Sequence, residues 1–444
     1  MRKVWILIVL VGVVLGAMLL MARGGPGEWT TSSPEALAAF EKGLEAQMKM
    51  YNAEASAYYE TALQLDADFV AAKLALMQVR YDNKLHERLA AELAATDLTT
   101  LTAREQFLVR YRLARVEGRS KEAEQILKAF LDVYPDDPWG LDAFARLVWD
   151  KKSLEKASKV YRRLLAADPN WVLAQNRLGY VAMAQGRFDE AEELFRTYTY
   201  IAPDQANPHD SMGELLTVLG RYDEARSELE HALEIKPDFC PSFQHLVEVE
   251  ILEGRPEEVE PIIQRAEAAG CGGRWVGFVR CEVAFWGDYL AGDYDGPWRE
   301  ERSACVEKLG GRHFLIHRMA ALTGRRGKAL AVEARYAEGV SFEGREETAE
   351  VKFYKGFMYH LKGVRLLAEG DVESAIELMT KADRQFLYWG QDESILKLFN
   401  RLNLACAYEL AGERRKAKTL LGEVAEVNPP FAGFYGDLLE SFRS

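Results

Sequence analysis

The chain has 444 residues, 48% of them apolar, and a formal net charge of −13 at pH 7. That length and apolar share allow ample burial, and the negative balance argues against nucleic acid as a partner, because phosphate binding needs a basic face. Neither a Pro- or Ser-rich interdomain linker nor a low-complexity tract interrupts the sequence.

Arg2 and Lys3 precede an uncharged apolar run from Val4 to Ala22. As a helix this run spans roughly 28 Å, close to the hydrocarbon thickness of a bilayer. Leu15 before Ala17 and Leu20 before Ala22 put bulky residues where signal cleavage wants small ones, and no cysteine follows for lipoprotein processing. Residues 1–23 are therefore read as an uncleaved transmembrane anchor, with a cleaved signal sequence and a secreted product as the alternative. Two basic residues before the run and only Arg23 just after it place the N-terminus in the cytoplasm and the remainder in the periplasm or outside the cell. Gly12 and Gly16 form a G-x-x-x-G pair, a spacing that would let two such helices touch in a homodimer. Residues 24–33 read as a short tether.

From Ala36 onward a period of 34 takes over. Ala123, Ala157, Ala191 and Ala225 keep that step, and Pro135, Pro169, Pro203 and Pro237 follow twelve residues after each. Gly118, Gly186, Gly220 and Gly254 fall in the same frame, where a hairpin must turn. A fixed period with a small residue in one slot and a closing proline implies stacked helical hairpins. One unit reads Gln175, Leu178, Gly179, Ala182, Gly186, Ala191, Phe195, Tyr198, Pro203. Its small residues, Gly179 facing Ala191 and Gly213 facing Ala225 in the next unit, would let two helices approach closely. The unit from Val70 is degenerate, with a shifted turn expected near Tyr81 to Lys84. Beyond Gly273 the phase is lost, and divergent hairpins are expected over 274–355, with turns at Ala291 to Tyr294 and Gly324 to Gly327. The frame returns over 356–444, where Ala375 and Ala417 stand 42 apart. The eight extra residues are assigned to longer helices around Phe386 to Ser394. Ser33, Thr102 with Glu105, Asp137 and Asn207 are read as helix N-caps.

On these residues the chain resembles the tetratricopeptide repeat (TPR) family. The resemblance implies an all-α fold: a right-handed superhelical solenoid of antiparallel helix hairpins over 34–273, preceded here by the transmembrane helix. It also implies a concave groove, lined by the first helix of each hairpin, that holds a peptide or a partner's helix. In this sequence the inward positions are Asp142, Arg146, Asn176, Arg177, Tyr180, Asp210, Ser211, Glu214, Gln244 and His245. Their mix of amide, charge and aromatic suits an extended chain, whose backbone needs both donors and acceptors. The lysines and second asparagine of the family's carboxylate clamp are missing.

Catalytic signals are weak. Cys240, Cys271, Cys281, Cys305 and Cys406 lack any C-x-x-C spacing and are expected as buried small hydrophobes, with a bond among Cys271, Cys281 and Cys305 left open. His313 and His317 lack the intervening glutamate of a zinc-protease helix, and no phosphate loop, dinucleotide loop or nucleophile elbow is present. Neither catalysis, nor a metal, nor a cofactor is expected. The reading is a membrane-anchored, non-catalytic scaffold for protein–protein interaction, serving assembly or regulation of an envelope complex. The competing class is a small-ligand or glycan receptor, or an enzyme, built on 274–350. There Trp275, Trp286, Trp298, Tyr289 and Tyr294 accompany Arg312, Arg318, Arg325 and Arg326, a combination that would suit an anionic or glycan-like ligand.

Overall fold

The computed structural model describes residues 29–150, 153–308, 314–339 and 348–443. The apolar run Val4–Ala22, the Gly12/Gly16 pair, His313 and Arg312 lie outside the described residues. Among those described there are only helices, turns and connections, with no strand, and no helix is long and apolar enough to cross a membrane. The chain divides into two compact units, one of residues up to Leu147 together with Arg163–Trp171, the other of Val148–Arg162 together with Val172 onward.

The helices in chain order are α1 Pro34–Met48, α2 Asn52–Leu65, α3 Val70–Val79, α4 Asn83–Ala94, α5 Ala103–Val116, α6 Ser120–Val133, α7 Pro138–Asp150 and α8 Leu154–Ala167. There follow α9 Val172–Ala184, α10 Phe188–Ile201, α11 Ala206–Val218, α12 Tyr222–Ile235, α13 Cys240–Leu252, α14 Val259–Ala268 and α15 Arg274–Leu290. The remainder are α16 Ser303–Lys308, α17 Phe314–Leu322, α18 Arg326–Gly339, α19 Ala349–Ala368, α20 Val372–Gln385, α21 Gly390–Leu410, α22 Arg414–Val427, α23 Pro429–Ala432 and α24 Tyr435–Ser441.

In the first unit α1 to α4 share one core in which Phe40 packs on Tyr59 and Phe69. Thr30 ties the entry strand of chain to it: its N–H donates to Glu105 Oε1 at 2.9 Å. Glu105 is fully buried because it also closes the capping box with Thr102 at the start of α5. The degenerate hairpin turns at residues 80–82, where Asp82 caps α4 through the Leu85 N–H. Ser33 and Asp137 cap as the sequence suggests, through the N–H groups of Ala36 and Gly140. Asn207 does not. The helix there begins two residues earlier than such a cap implies, at Ala206 after Gln205, and Asn207 donates instead to the Tyr198 hydroxyl at 3.0 Å.

The 34-residue beat has one physical basis, repeated. Gly118, Gly186, Gly220 and Gly254 each take φ between 71° and 77°, which lets the helix end in a left-handed turn. At Gly186 the N–H reaches Met183 O at 2.8 Å and the next N–H, of Arg187, reaches Ala182 O at 2.9 Å. The same pair of bonds recurs at Gly220, from Gly220 to Thr217 and from Arg221 to Leu216. Ala123, Ala157, Ala191 and Ala225 are all fully buried. Gly179 is small because a ring, rather than Ala191, lies over it: an added Cβ would sit 2.4 Å from Phe195 Cε1. Phe195 is itself fully buried and has no room to retreat. Gly179→Ala should therefore cost about 2 kcal/mol of unfolding free energy by overpacking, read as a lowered denaturant midpoint at unchanged slope.

Beyond Gly273 the hairpins diverge. After α15 the chain makes two 3-10 turns, Gly296–Trp298 and Glu300–Arg302, before α16, and α17 and α18 are joined at residues 323–325. Two disulfides close this region, Cys240–Cys271 and Cys281–Cys305, with Cα atoms 5.4 Å and 5.2 Å apart. Cys406 is free and buried. The expectation of five buried small hydrophobes is thus corrected for four of them: Cys281–Cys305 is a bond within the trio left open, and Cys240 is the partner of Cys271 from outside it. Cys240 opens α13 and Cys271 follows α14, so the two ends of one antiparallel hairpin bring the thiols together.

Arg318, Arg325 and Arg326 each find partners inside the protein. Arg318 is buried at 1% exposure, donating to the Tyr289 hydroxyl at 2.8 Å and to Asn403 Oδ1 at 2.6 Å, with its guanidinium over the rings of Tyr289, Phe399 and Phe442. Arg325 pairs with Asp295 and Arg326 with Glu369. His317 is fully buried and bonds through Nε2 to Glu333, 3.1 Å away. Among the described residues, Arg318, Arg325 and Arg326 are each engaged within the protein rather than gathered in one site for an anionic ligand.

Candidate functional site

The first helices of three successive hairpins, α9, α11 and α13, share one face in the second unit. Side chains one repeat apart on these helices are neighbours, and they bond into a ladder. Asn176 Nδ2 donates to Ser211 Oγ at 2.7 Å, and the Tyr180 hydroxyl donates to Glu214. His245 sits between two carboxylates, Nδ1 at 2.9 Å from Asp210 Oδ1 and Nε2 at 3.3 Å from Glu214 Oε1. Ser242 Oγ donates to the same Asp210 oxygen at 2.7 Å.

Burial alone would depress His245, but the carboxylates of Asp210 and Glu214 outweigh it and lift the imidazole to about 10. Glu214 is raised, first by burial and partly restored by His245. The ring is therefore an imidazolium donating to both carboxylates. Asp210, Glu214 and His245 converge within 4.8 Å, a spacing that could surround a metal ion. Both ring nitrogens already face carboxylates, so a metal would have to displace a proton from the ring to bind there.

Of the ten positions expected in a groove, Asn176, Tyr180, Asp210, Ser211, Glu214 and His245 come together in this ladder. Arg177 lies half-buried on α9 and Gln244 is exposed on α13. Asp142 and Arg146 belong to the first unit and pair with each other at 2.8 Å.

The face they form is covered, not open. Helix α21 has 21 residues where α9, α11 and α13 have 13 each. The difference is the eight extra residues of the sequence, and at 1.5 Å per residue they carry the helix start about 12 Å further out. The four-residue connection ahead of it, 386–389, is extended and lands on the ladder. Trp389 lies 4.0 Å from the Trp149 ring and 5.1 Å from Tyr180, centroid to centroid. Tyr388 packs edge-on against Phe188 at 5.1 Å. The Gln391 N–H donates to Glu214 Oε1 at 3.3 Å.

A second contact closes the other end. Asn428, fully buried, donates from Nδ2 to Thr217 O at 3.3 Å and Val218 O at 3.1 Å, the last carbonyls of α11. Its Oδ1 accepts from the Phe431 N–H at 2.9 Å, capping α23. An added Cβ at Gly220 would stand 2.5 Å from that oxygen. Sequence reasoning missed Gln391, Asp392 and Asn428. The available signal was the 42-residue interval, which marks where the chain has spare length to reach across.

Between this cover and α13, α15 and α19 lie three adjoining cavities of about 550, 330 and 550 Å³. The first borders the ladder at Glu214 and His245, the second meets it at Phe353 and Asp392, and the third is walled by aromatics from Trp286 to Phe434.

Two tetratricopeptide-repeat family models match the chain, over residues 143–206 and 182–249, so this stretch consists of tetratricopeptide repeats. No curated protein sequence matches it. Among solved structures, a tetratricopeptide repeat protein from Parabacteroides merdae is similar over 63% of this chain and 98% of its own, at 13% identity and a TM-score of 0.37. PilF of Pseudomonas aeruginosa is similar over 48% of this chain and 94% of its own, at 14% identity and a TM-score of 0.37. MamA of Desulfovibrio magneticus covers 37% of this chain and 93% of its own, at 16% identity and a TM-score of 0.32.

Proposed function

We propose that the chain is a non-catalytic scaffold that binds another protein through the face of α9, α11 and α13, recognising an extended aromatic segment of that partner. The observation that supports this is the connection 386–389 of the chain itself, seated there with Trp389 between Trp149 and Tyr180 and followed by the Gln391 N–H, in the first turn of α21, on Glu214. A face that holds one aromatic side chain in such a slot, with a carboxylate beside it to accept a backbone N–H, has the chemistry to hold another. The partner's segment would compete with residues 386–391 for the slot. In this reading residues 4–22 anchor the scaffold in a membrane with its repeats on the periplasmic or outer side, which confines the search for a partner and favours assembly of an envelope complex.

The test is crosslinking in intact cells followed by identification of the bound protein. Trp389→Ala weakens the internal competitor and is expected to raise crosslinking to the partner about tenfold, whereas Tyr180→Ala in the same background removes the slot and abolishes it. A partner set unchanged by both substitutions rules the face out. Alkaline extraction of membranes checks the anchor: a trimmed chain released into the soluble fraction overturns that part alone.

A further inference from the structure

The cover meets the ladder at two successive helices. Glu214, Glu248 and Glu282 stand 34 residues apart on α11, α13 and α15, so one slot of the repeat carries a carboxyl three times over. Two consecutive residues at the start of α21 engage the first two of these. The Gln391 N–H donates to Glu214 Oε1 at 3.3 Å, and the Asp392 side chain shares a hydrogen bond with Glu248. Just ahead of them Trp389 fills the slot between Trp149 and Tyr180, and the Leu387 N–H donates to Glu393 Oε1 at 2.7 Å, which folds the connection onto the same helix turn.

The bond from Asp392 to Glu248 needs a proton that the bond from Gln391 does not. An ionised carboxylate only accepts, so two carboxyl groups share a hydrogen bond only while one of them is protonated. Glu248 is the half-buried member of the pair and Asp392 the exposed one. Burial, and then Asp392 beside it, hold the Glu248 carboxyl well above the usual range, so Glu248 keeps the proton and donates it to Asp392. Glu282 faces Glu248 from α15, while Glu214, Glu350 of α19 and Glu393 of α21 line the adjoining chamber. His245, on the same helix as Glu248, acts in the opposite sense, but it is already engaged by Asp210 and Glu214. Among the described residues lining the two chambers there is neither a lysine nor an arginine to offset a second negative charge on the pair.

We propose that the Glu248–Asp392 pair is a proton-operated latch on the aromatic slot: with its proton the pair holds residues 386–391 down on the ladder, and without it the cover is released to admit a partner's segment. Closing the cover takes up a proton, because Glu248 holds one more tightly in the closed form than in the open one. The closed form is therefore fully favoured in acid and loses that support as pH rises through the raised value. Two carboxylates left at hydrogen-bond reach repel each other, and the exposure of Asp392 both lets the proton leave and screens the repulsion. The latch regulates the face assigned to the partner and rests on that reading for its purpose.

Hydrogen exchange on the purified full chain tests the latch with no partner present, so its failure is distinct from failure of the crosslinking experiment. The amides of Leu387 and Gln391 report on the cover, their protection being referred to the intrinsic exchange rate at each pH from about 5 to 9. Across that range protection in the parent should fall at least about fivefold more than in Glu248→Gln, whose amide donates to Asp392 without titrating. Asp392→Asn, at an exposed position, should flatten the profile in the same way, and serves alone if Glu248→Gln does not fold. His245 and Glu214 titrate in parent and variants alike, so the difference belongs to the pair. A pair that only packed would change protection by one factor at every pH. A parent profile parallel to those of the variants, or one in which protection rises with pH relative to them, overturns the proposal.

Discussion

Asn428→Ala is expected to lower the unfolding free energy of the second unit by about 3 kcal/mol, since a buried acceptor left unmet costs roughly 1–3 kcal/mol and a lost cap about 1. The Val218 carbonyl and the Phe431 N–H lose their partner at once, with no water to replace it, as Asn428 is fully buried, while the Thr217 carbonyl keeps the Gly220 N–H at 3.1 Å. Tyr222, whose hydroxyl lies 3.4 Å from Asn428 Oδ1, loses a neighbour as well. Urea titration should show the midpoint fall at unchanged slope. Asn428→Asp should not rescue it, because its second oxygen would face the two carbonyls. A change below about 1 kcal/mol would mean that α23 is held by Phe431 packing and not by this residue.

The second large effect is a pair of opposite pH dependences. His360, 2% exposed with Nδ1 at 3.0 Å from Asn400 Oδ1, is pushed down to about 4, first by burial and partly restored by Asn400. Its folded value lies below the unfolded one, so the unfolded chain takes the proton first as pH falls. Stability is full above about 6.5 and is lost on the way to 4, amounting to about 3 kcal/mol. His245 runs the other way. Its value is raised to about 10, so its contribution is full below about 6.5 and is lost as pH rises. Allowing for the 16% of its side chain open to solvent, this amounts to about 3 kcal/mol. Denaturation across pH should show the parent losing more stability than His360→Gln on the acid side and more than His245→Gln on the alkaline side. Parallel curves for parent and variant on either side would refute that assignment.

Much of the local architecture is legible in the sequence because its signals are local. The beat of Gly118, Gly186, Gly220 and Gly254 marks turns that close within six residues, and helical spacing alone puts Asn176, Tyr180, Ser211 and His245 on one face. The 42-residue interval reads as added helix, found in α21 from Gly390 onward, whereas Phe386 to Trp389 form the connection ahead of it. What covers that face is not legible. Gln391 meets Glu214 across 177 residues and Asn428 meets Val218 across 210, and periodicity carries no information about contacts at that range. Trp149 and Trp389 are conspicuous as aromatics, yet nothing in their surroundings pairs them. The cysteines fail for a subtler reason. Cys240 lies inside the regular repeats and so stands apart from the divergent trio, although its separation of 31 from Cys271 is close to one repeat and returns the chain to the same edge of its hairpin.

That bond changes how the molecule comes apart. An array of repeats loosens from its ends inward, each hairpin leaning only on the next. Cys240–Cys271 ties the first residue of α13 to the residue three before α15, so the last in-phase hairpin is a closed hoop. By the entropy of a 31-residue loop the hoop contributes about 3–4 kcal/mol against unfolding. Fraying that enters α13 and α14 from α15 must stop at this hoop or take it whole, so along that route the oxidation state of one pair of sulfurs sets how far the loosening travels.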